Sequence, residues 1–206
     1  MTTSHLPLFW FLGFAVLALG CARPASEMEW VERVLPDGSK ERLQQRVNST
    51  TRNGQYLRFY PDGTLAEQSA YKDGVLHGER RLFYPDGTLE VEEHHQDGLY
   101  HGYYRHYFGH GVLEQELEYA GHAITGVAKS WYPNGVLREE VTFLNNEENG
   151  PFREYYENGV LKTEGMYRPG DPYPLEDGVL REYGEDGALL RIAQCSLGRC
   201  TTTWKK

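Results

Sequence analysis

Glycines recur at positions 54, 78, 102, 126 and 150, and a second set at 63, 87, 111, 135 and 159, with 24 residues between successive members of each set. Two combs held in register over five units constrain the chain strongly. Whatever one unit folds into, the next must repeat and stack upon. The heptad "FYPDGTL" stands at Phe59–Leu65 and again at Phe83–Leu89, followed by "YFGHGVL", "WYPNGVL", "YYENGVL" and "YGEDGAL". A sixth unit comes after a four-residue insertion, with its glycines at 178 and 187, and a degenerate leading unit lies in "VLPDGSKERLQQRV" at Val34–Val47.

The heptad is a turn. Pro presets φ, Asp accepts local hydrogen bonds, and Gly takes the left-handed conformation of a type I turn with a bulge. Two columns then face each other as cross-strand pairs: Phe59, Phe83, Tyr107, Trp131 and Tyr155 against Leu65, Leu89, Leu113, Leu137 and Leu161. These ten residues are the expected structural stripe. A second turn, "YKDG" at Tyr71–Gly74, is expected to follow the same logic and to keep Tyr71 on the Phe59 face. The other face is expected to carry Tyr60, Tyr84, Phe108, Tyr132 and Tyr156 beside Glu92, Glu116, Glu140 and Glu164. That tyrosine-rich row is the candidate binding surface, because Tyr gives large contact area at low entropic cost. The bland alternative is that it shields a thin sheet from water. The expected fold is all-β: an elongated antiparallel meander of tandem 24-residue hairpins, in which no hairpin is stable alone.

Composition narrows function more by exclusion. A net charge of −9 gives no basic footprint for nucleic acid. The dense histidines, His94, His95, His101, His106 and His110, do not converge on one ion in this register, so no metal or cofactor is expected. No phosphate-binding loop, nucleophile elbow or HExxH is present, and the carboxylates recur by repeat rather than as one singular pair. The chain reads as a non-enzyme.

The segment "GPFREYYENGVLKTEGMYRPG" at Gly150–Gly170 resembles the MORN-type repeat variant found in many bacterial proteins, and the resemblance extends over about residues 54–197. It implies an antiparallel sheet and contact with proteins or lipid surfaces, with an antitoxin or immunity role in some members. The third unit departs from the pattern at Gly109–His110.

The N-terminus reads differently. "LPLFWFLGFAVLALG" at Leu6–Gly20 is almost wholly apolar, is short for a membrane span, and precedes Cys21. It reads as an export signal, with "LALGC" similar to a bacterial lipobox and Cys21 the lipidation site; a plain cleaved signal or an uncleaved anchor are the alternatives. Cys195 and Cys200 remain as an even pair, either disulfide-bonded or as free thiols. The organisation is therefore a signal at 1–20, a linker with a degenerate first repeat at 21–53, repeats at 54–77, 78–101, 102–125, 126–149, 150–177 and 178–197, and a tail at 198–206. The function expected is an exported, lipid-anchored protein-binding scaffold of the bacterial envelope. Its partner is a protein, with immunity against a secreted toxin as the alternative. Membrane contact is expected only through the signal or lipid.

Overall fold

The computed structural model describes residues 27–170 and 172–206. Among them there is no helix. The strands form one antiparallel sheet in which each neighbour along the chain is a neighbour in space. The leading hairpin is β1 (Met28–Val34) and β2 (Lys40–Arg46). The first full unit follows as β3 (Arg52–Phe59) and β4 (Leu65–Lys72), then β5 (Val75–Phe83) and β6 (Leu89–Gln96), β7 (Leu99–Tyr107) and β8 (Leu113–Ala120). Next come β9 (Ala123–Trp131) and β10 (Leu137–Leu144), then β11 (Glu147–Tyr155) and β12 (Leu161–Arg168). The insertion adds a short β13 (Leu175–Glu176), which pairs with β12 off the main path, before β14 (Gly178–Tyr183), β15 (Leu189–Ser196) and β16 (Arg199–Lys205). Residues 28–46 are thus part of the sheet, and the segment expected as a tail supplies its last strand. The export signal and Cys21 lie outside the described residues.

Each unit uses two different turns. At Tyr60–Thr64 the Tyr60 amide donates to the Thr64 carbonyl (2.8 Å), the Gly63 amide returns to the Tyr60 carbonyl (2.9 Å), and Asp62 Oδ1 accepts from the Thr64 amide (2.9 Å). Those hydrogen bonds hold the Asp62 carboxyl below its ordinary range. The second turn does not repeat this design. Asp73 and Gly74 both have positive φ (50° and 85°), as do Asp97–Gly98 and Asn145–Asn146, which defines a two-residue type I′ hairpin. Its twist matches the strands it joins, whereas a type I turn of that length would splay them.

Register explains which side chains share a face. Phe59 opposes Leu65, as the turn chemistry predicts, but Arg58 opposes Glu67, so Ala66 is an extra residue in the return strand. The same slip occurs after Phe83, Tyr107, Trp131 and Tyr155. One extra residue reverses the side-chain alternation. Tyr71 therefore lies on the face opposite to Phe59, and Glu92, Glu116, Glu140 and Glu164 lie on the Phe59 face rather than with Tyr60. Both differ from the expectation above, which counted alternation straight through the bulge.

The buried residues follow the corrected parity. Leu43, Tyr56, Ser69, Glu93, Leu117, Val141, Phe152, Leu180 and Ala193, on β2, β3, β4, β6, β8, β10, β11, β14 and β15, share the face of Tyr71. In the C-terminal half this face is apolar: Val141, Phe152, Leu180, Ala193 and Cys195 cluster with Phe143, Tyr167 and Cys200. Phe152 stacks on Tyr167 with ring centroids 4.1 Å apart, and Gly165 makes room, since a Cβ there would stand 2.8 Å from the Phe152 ring. Cys195 and Cys200 are register partners joined by a disulfide.

Gly63 isolates the backbone cost of the turn, because its φ is +94° and nothing lies within 4 Å of a Cβ built there. Gly63→Ala is expected to lower unfolding free energy by about 1–2 kcal/mol in urea titration. Gly63→Asn should recover part of that loss, because Asn visits the left-handed region more readily.

Candidate binding faces

The sheet presents a buried face and a charged face, and sequence columns sort cleanly between them. On the charged face, cations and carboxylates alternate across strands. One run is Arg81–Glu92–Arg105–Glu116, with separations of 3.1, 3.3 and 2.7 Å. A second is Lys129–Glu140–Arg153–Glu164–Arg181, with separations of 3.8, 3.9, 3.8 and 3.5 Å. The aromatic column joins this ladder: the Tyr183 hydroxyl donates to Glu164 (3.1 Å), and Tyr155 approaches Glu140 (3.5 Å). Phe59, Phe83, Tyr107 and Trp131 occupy the same column and are likewise half-buried. Exposed ion pairs contribute little individually, so the ladder orders the surface more than it stabilises it.

Beside the second run lies a row that sequence reasoning missed. Val127, Thr142, Pro151, Met166 and Val179 stand on β9, β10, β11, β12 and β14, with Thr142 opposite Val127 and Pro151 opposite Met166. Val127, Met166 and Val179 are exposed by 47, 48 and 41 %. At the usual strand spacing the row runs for about 19 Å. Equivalent positions in the first units hold Gln55, Ala70, Glu79 and His94, so the apolar strip is confined to the C-terminal half. The signal was present in the 24-residue columns, but only after the bulge is allowed for.

The candidate row Tyr60, Tyr84, Phe108, Tyr132 and Tyr156 lies on the buried side, at the turn edge. Its hydroxyls are engaged. Tyr60 donates to the Phe83 carbonyl (2.7 Å), Tyr84 to Tyr107 (2.8 Å), Tyr132 to Tyr155 (2.8 Å) and Tyr156 to Tyr183 (2.9 Å). The reason is the same bulge. Pairing between units ends at Glu67 opposite Leu82, so Phe83 has no ladder partner on that side and a neighbouring tyrosine supplies the donor. Unpaired backbone groups are costly to bury, and the hydroxyl meets that demand.

The N-terminal part of the buried face is unexpectedly ionic. Arg80 bridges Glu67 (2.9 Å) and Glu93 (3.0 Å), and the His95 Nε2 lies 2.9 Å from the same Glu93 oxygen. Glu93 and His95 are 2 % and 6 % exposed. His95 is thus built into the core, not a tolerant surface substitution. The other histidines go separate ways: His94 meets the His101 carbonyl, His106 meets Glu114, and His110 meets the Pro133 carbonyl. Among the described residues, Glu176, Cys195 and Cys200 bring three metal-type ligand atoms within 4.8 Å, but the disulfide ties up both sulfurs. Burial pushes the Tyr56 and Tyr167 phenols up to about 12.

The MORN repeat variant family matches residues 52–73, 76–97, 124–145 and 148–168. These are MORN-type repeats. The MORN matches skip the unit that carries Phe108, Gly109 and His110, where the turn lacks both Pro and its Asp or Asn. No curated protein matches the chain.

One cross-strand pair on the buried side of these MORN units sets like charges together. Glu139 opposes Glu154 directly, and Lys162 forms its ion pair with Glu154 (3.1 Å). Burial first, and Glu154 second, raise the Glu139 pKa above the ordinary carboxylate value. A raised folded pKa means that ionisation opposes folding at neutral pH, and that the penalty is relieved as pH falls through the folded value. Glu139→Gln is expected to raise stability at pH 7 by roughly 0.2–1 kcal/mol. Denaturation near pH 3, below the usual carboxylate range, should show no difference from wild type.

Proposed function

We propose that this chain is a non-enzymatic scaffold that binds a protein partner through the charged face of its C-terminal repeats. The observation that carries the reading is the exposed row Val127–Thr142–Pro151–Met166–Val179 beside the Lys129–Arg181 ion ladder. An apolar strip with a polar, hydrogen-bonding flank is the anatomy of a protein interface. MORN repeats commonly serve as protein- or membrane-binding scaffolds, which supports the assignment. In the buried ionic cluster Arg80 and His95 both meet Glu93, so it reads as architecture rather than as catalytic machinery.

The apolar N-terminal segment supports export, and "LALGC" supports a lipid anchor at Cys21 that holds the scaffold in the bacterial envelope. The narrower reading is an immunity or antitoxin protein. The net charge of −9 favours it, because a basic toxin would be steered to an acidic partner.

The test compares wild type with Val127→Ser/Met166→Ser/Val179→Ser in capture from envelope extract, after thermal melts confirm that both fold. The expected result is one protein captured by wild type and reduced at least tenfold by the triple variant. Equal capture by both, or no protein partner for wild type, contradicts the reading. Fatty-acid labelling of wild type but not of Cys21→Ala is expected for the anchor.

A further inference from the structure

The tyrosine ladder has one missing rung. Four steps between units are closed by a tyrosine hydroxyl on the next unit's aromatic carbonyl. Between the third and fourth units the residue is Phe108, which has no hydroxyl to give. Pairing of β8 with β9 ends at Gln115 opposite Ser130, so Trp131 also has no ladder partner on that side. Its carbonyl therefore lacks the donor that Phe83, Tyr107, Tyr155 and Tyr183 receive.

A cleft of about 470 Å³ opens at this rung, lined by Tyr104, His106, Phe108, Ser130, Trp131, Tyr132 and Arg138 among others. Trp131 pairs with Leu137 on the charged face, so on the cleft side it offers its backbone. Ser130 Oγ is buried there without a hydrogen-bond partner among the described residues. The cleft thus holds a hydroxyl without a partner, next to a residue whose carbonyl lacks the tyrosine donor that its equivalents receive. A buried polar group left unpaired is expensive, so a ligand that bonds both is favoured. Around them stand aromatic rings and, on the rim, the His106–Glu114 pair (2.7 Å) and Arg138, which makes no salt bridge among the described residues.

We propose that this cleft binds a neutral pyranose sugar. One sugar hydroxyl takes the place of the missing tyrosine hydroxyl on the Trp131 carbonyl, and a second bonds Ser130 Oγ. The C–H face of the ring packs on Phe108 and its aromatic neighbours, and the remaining hydroxyls reach Glu114 and Arg138. A purely apolar ligand leaves the carbonyl and Ser130 unpaired. The lining carries both Glu114 and Arg138, so a ligand of either charge meets a like charge and a neutral one meets neither. The volume lies in the range of small-molecule sites, roughly 300–1,000 Å³. The cleft is on the opposite face to the proposed protein-binding strip, so the two assignments stand or fall separately.

The test is calorimetric titration of the full chain with the methyl glycosides of glucose, galactose, mannose and N-acetylglucosamine, and with phenol as an aromatic control. At least one glycoside is expected to bind saturably with one site per chain. Phe108→Tyr installs the missing hydroxyl; it is expected to weaken that binding at least tenfold while the melting temperature holds or rises. Ser130→Ala should also weaken it, and decides the matter by the same criterion if Phe108→Tyr fails to fold. Binding of no glycoside, tighter binding of phenol than of any glycoside, or unchanged affinity in the folded variants overturns the proposal.

Discussion

The structure depends on one extra residue in each return strand. The bulge after Phe59 and its equivalents reverses the side-chain alternation and ends inter-unit pairing one residue short. The first effect decides which columns are buried and which are charged. The second leaves an aromatic's carbonyl without a ladder partner, and a tyrosine from the preceding unit closes it. Each such bond contributes about 1 kcal/mol net, and each joins one repeat to the next. Stability in a stacked array comes from such neighbour terms, because no hairpin buries enough surface alone.

Two halves follow from the same frame. Near the N-terminus the buried face mixes Leu43 and Tyr56 with Glu41, Glu67, Arg80 and Glu93, whose charges are paired with one another or with neighbouring arginines. Near the C-terminus it is filled by Val141, Phe152, Leu180 and Ala193. A buried ion pair gains little net stability but is costly to break by removing one partner, whereas apolar burial stabilises directly. The apolar strip on the outer face lies over this apolar half, so the proposed interface is backed by the hydrophobic cluster.

The repeat, its length and the first turn were legible in the sequence, because Gly63 and its equivalents admit few alternatives to a left-handed turn position. The second turn departs from the expectation because Asp73–Gly74 is also the signature of a two-residue hairpin, and "YKDG" shares only its first and last two residues with "YPDG". The assignment of faces failed for a different reason. A bulge consumes a residue without leaving a compositional mark, since its position holds Ala66, Glu90, Glu114, Arg138 and Lys162. The inner column was equally hidden, because its members at 56, 80, 104, 128 and 152 are Tyr, Arg, Tyr, Ala and Phe. The near-invariant aromatics and leucines line the charged face instead. What identified the odd third unit was already visible: Phe108 where tyrosine is the rule, and Gly109–His110 where the turn residues belong.

The central claim is that one unit of 24 residues is a complete mechanical module whose ends match any other unit. Deleting residues 102–125 joins His101 to Gly126 in the same register and brings Tyr84 beside Trp131, restoring a hydroxyl-to-carbonyl rung. Deleting residues 102–124 removes one residue fewer and throws every later column onto the wrong face. Circular dichroism and urea denaturation of the two proteins test the account most directly. A cooperative all-β transition for the 24-residue deletion, and its loss for the shorter one, is the predicted result. Equal folding of both, or failure of the 24-residue deletion to fold, contradicts it.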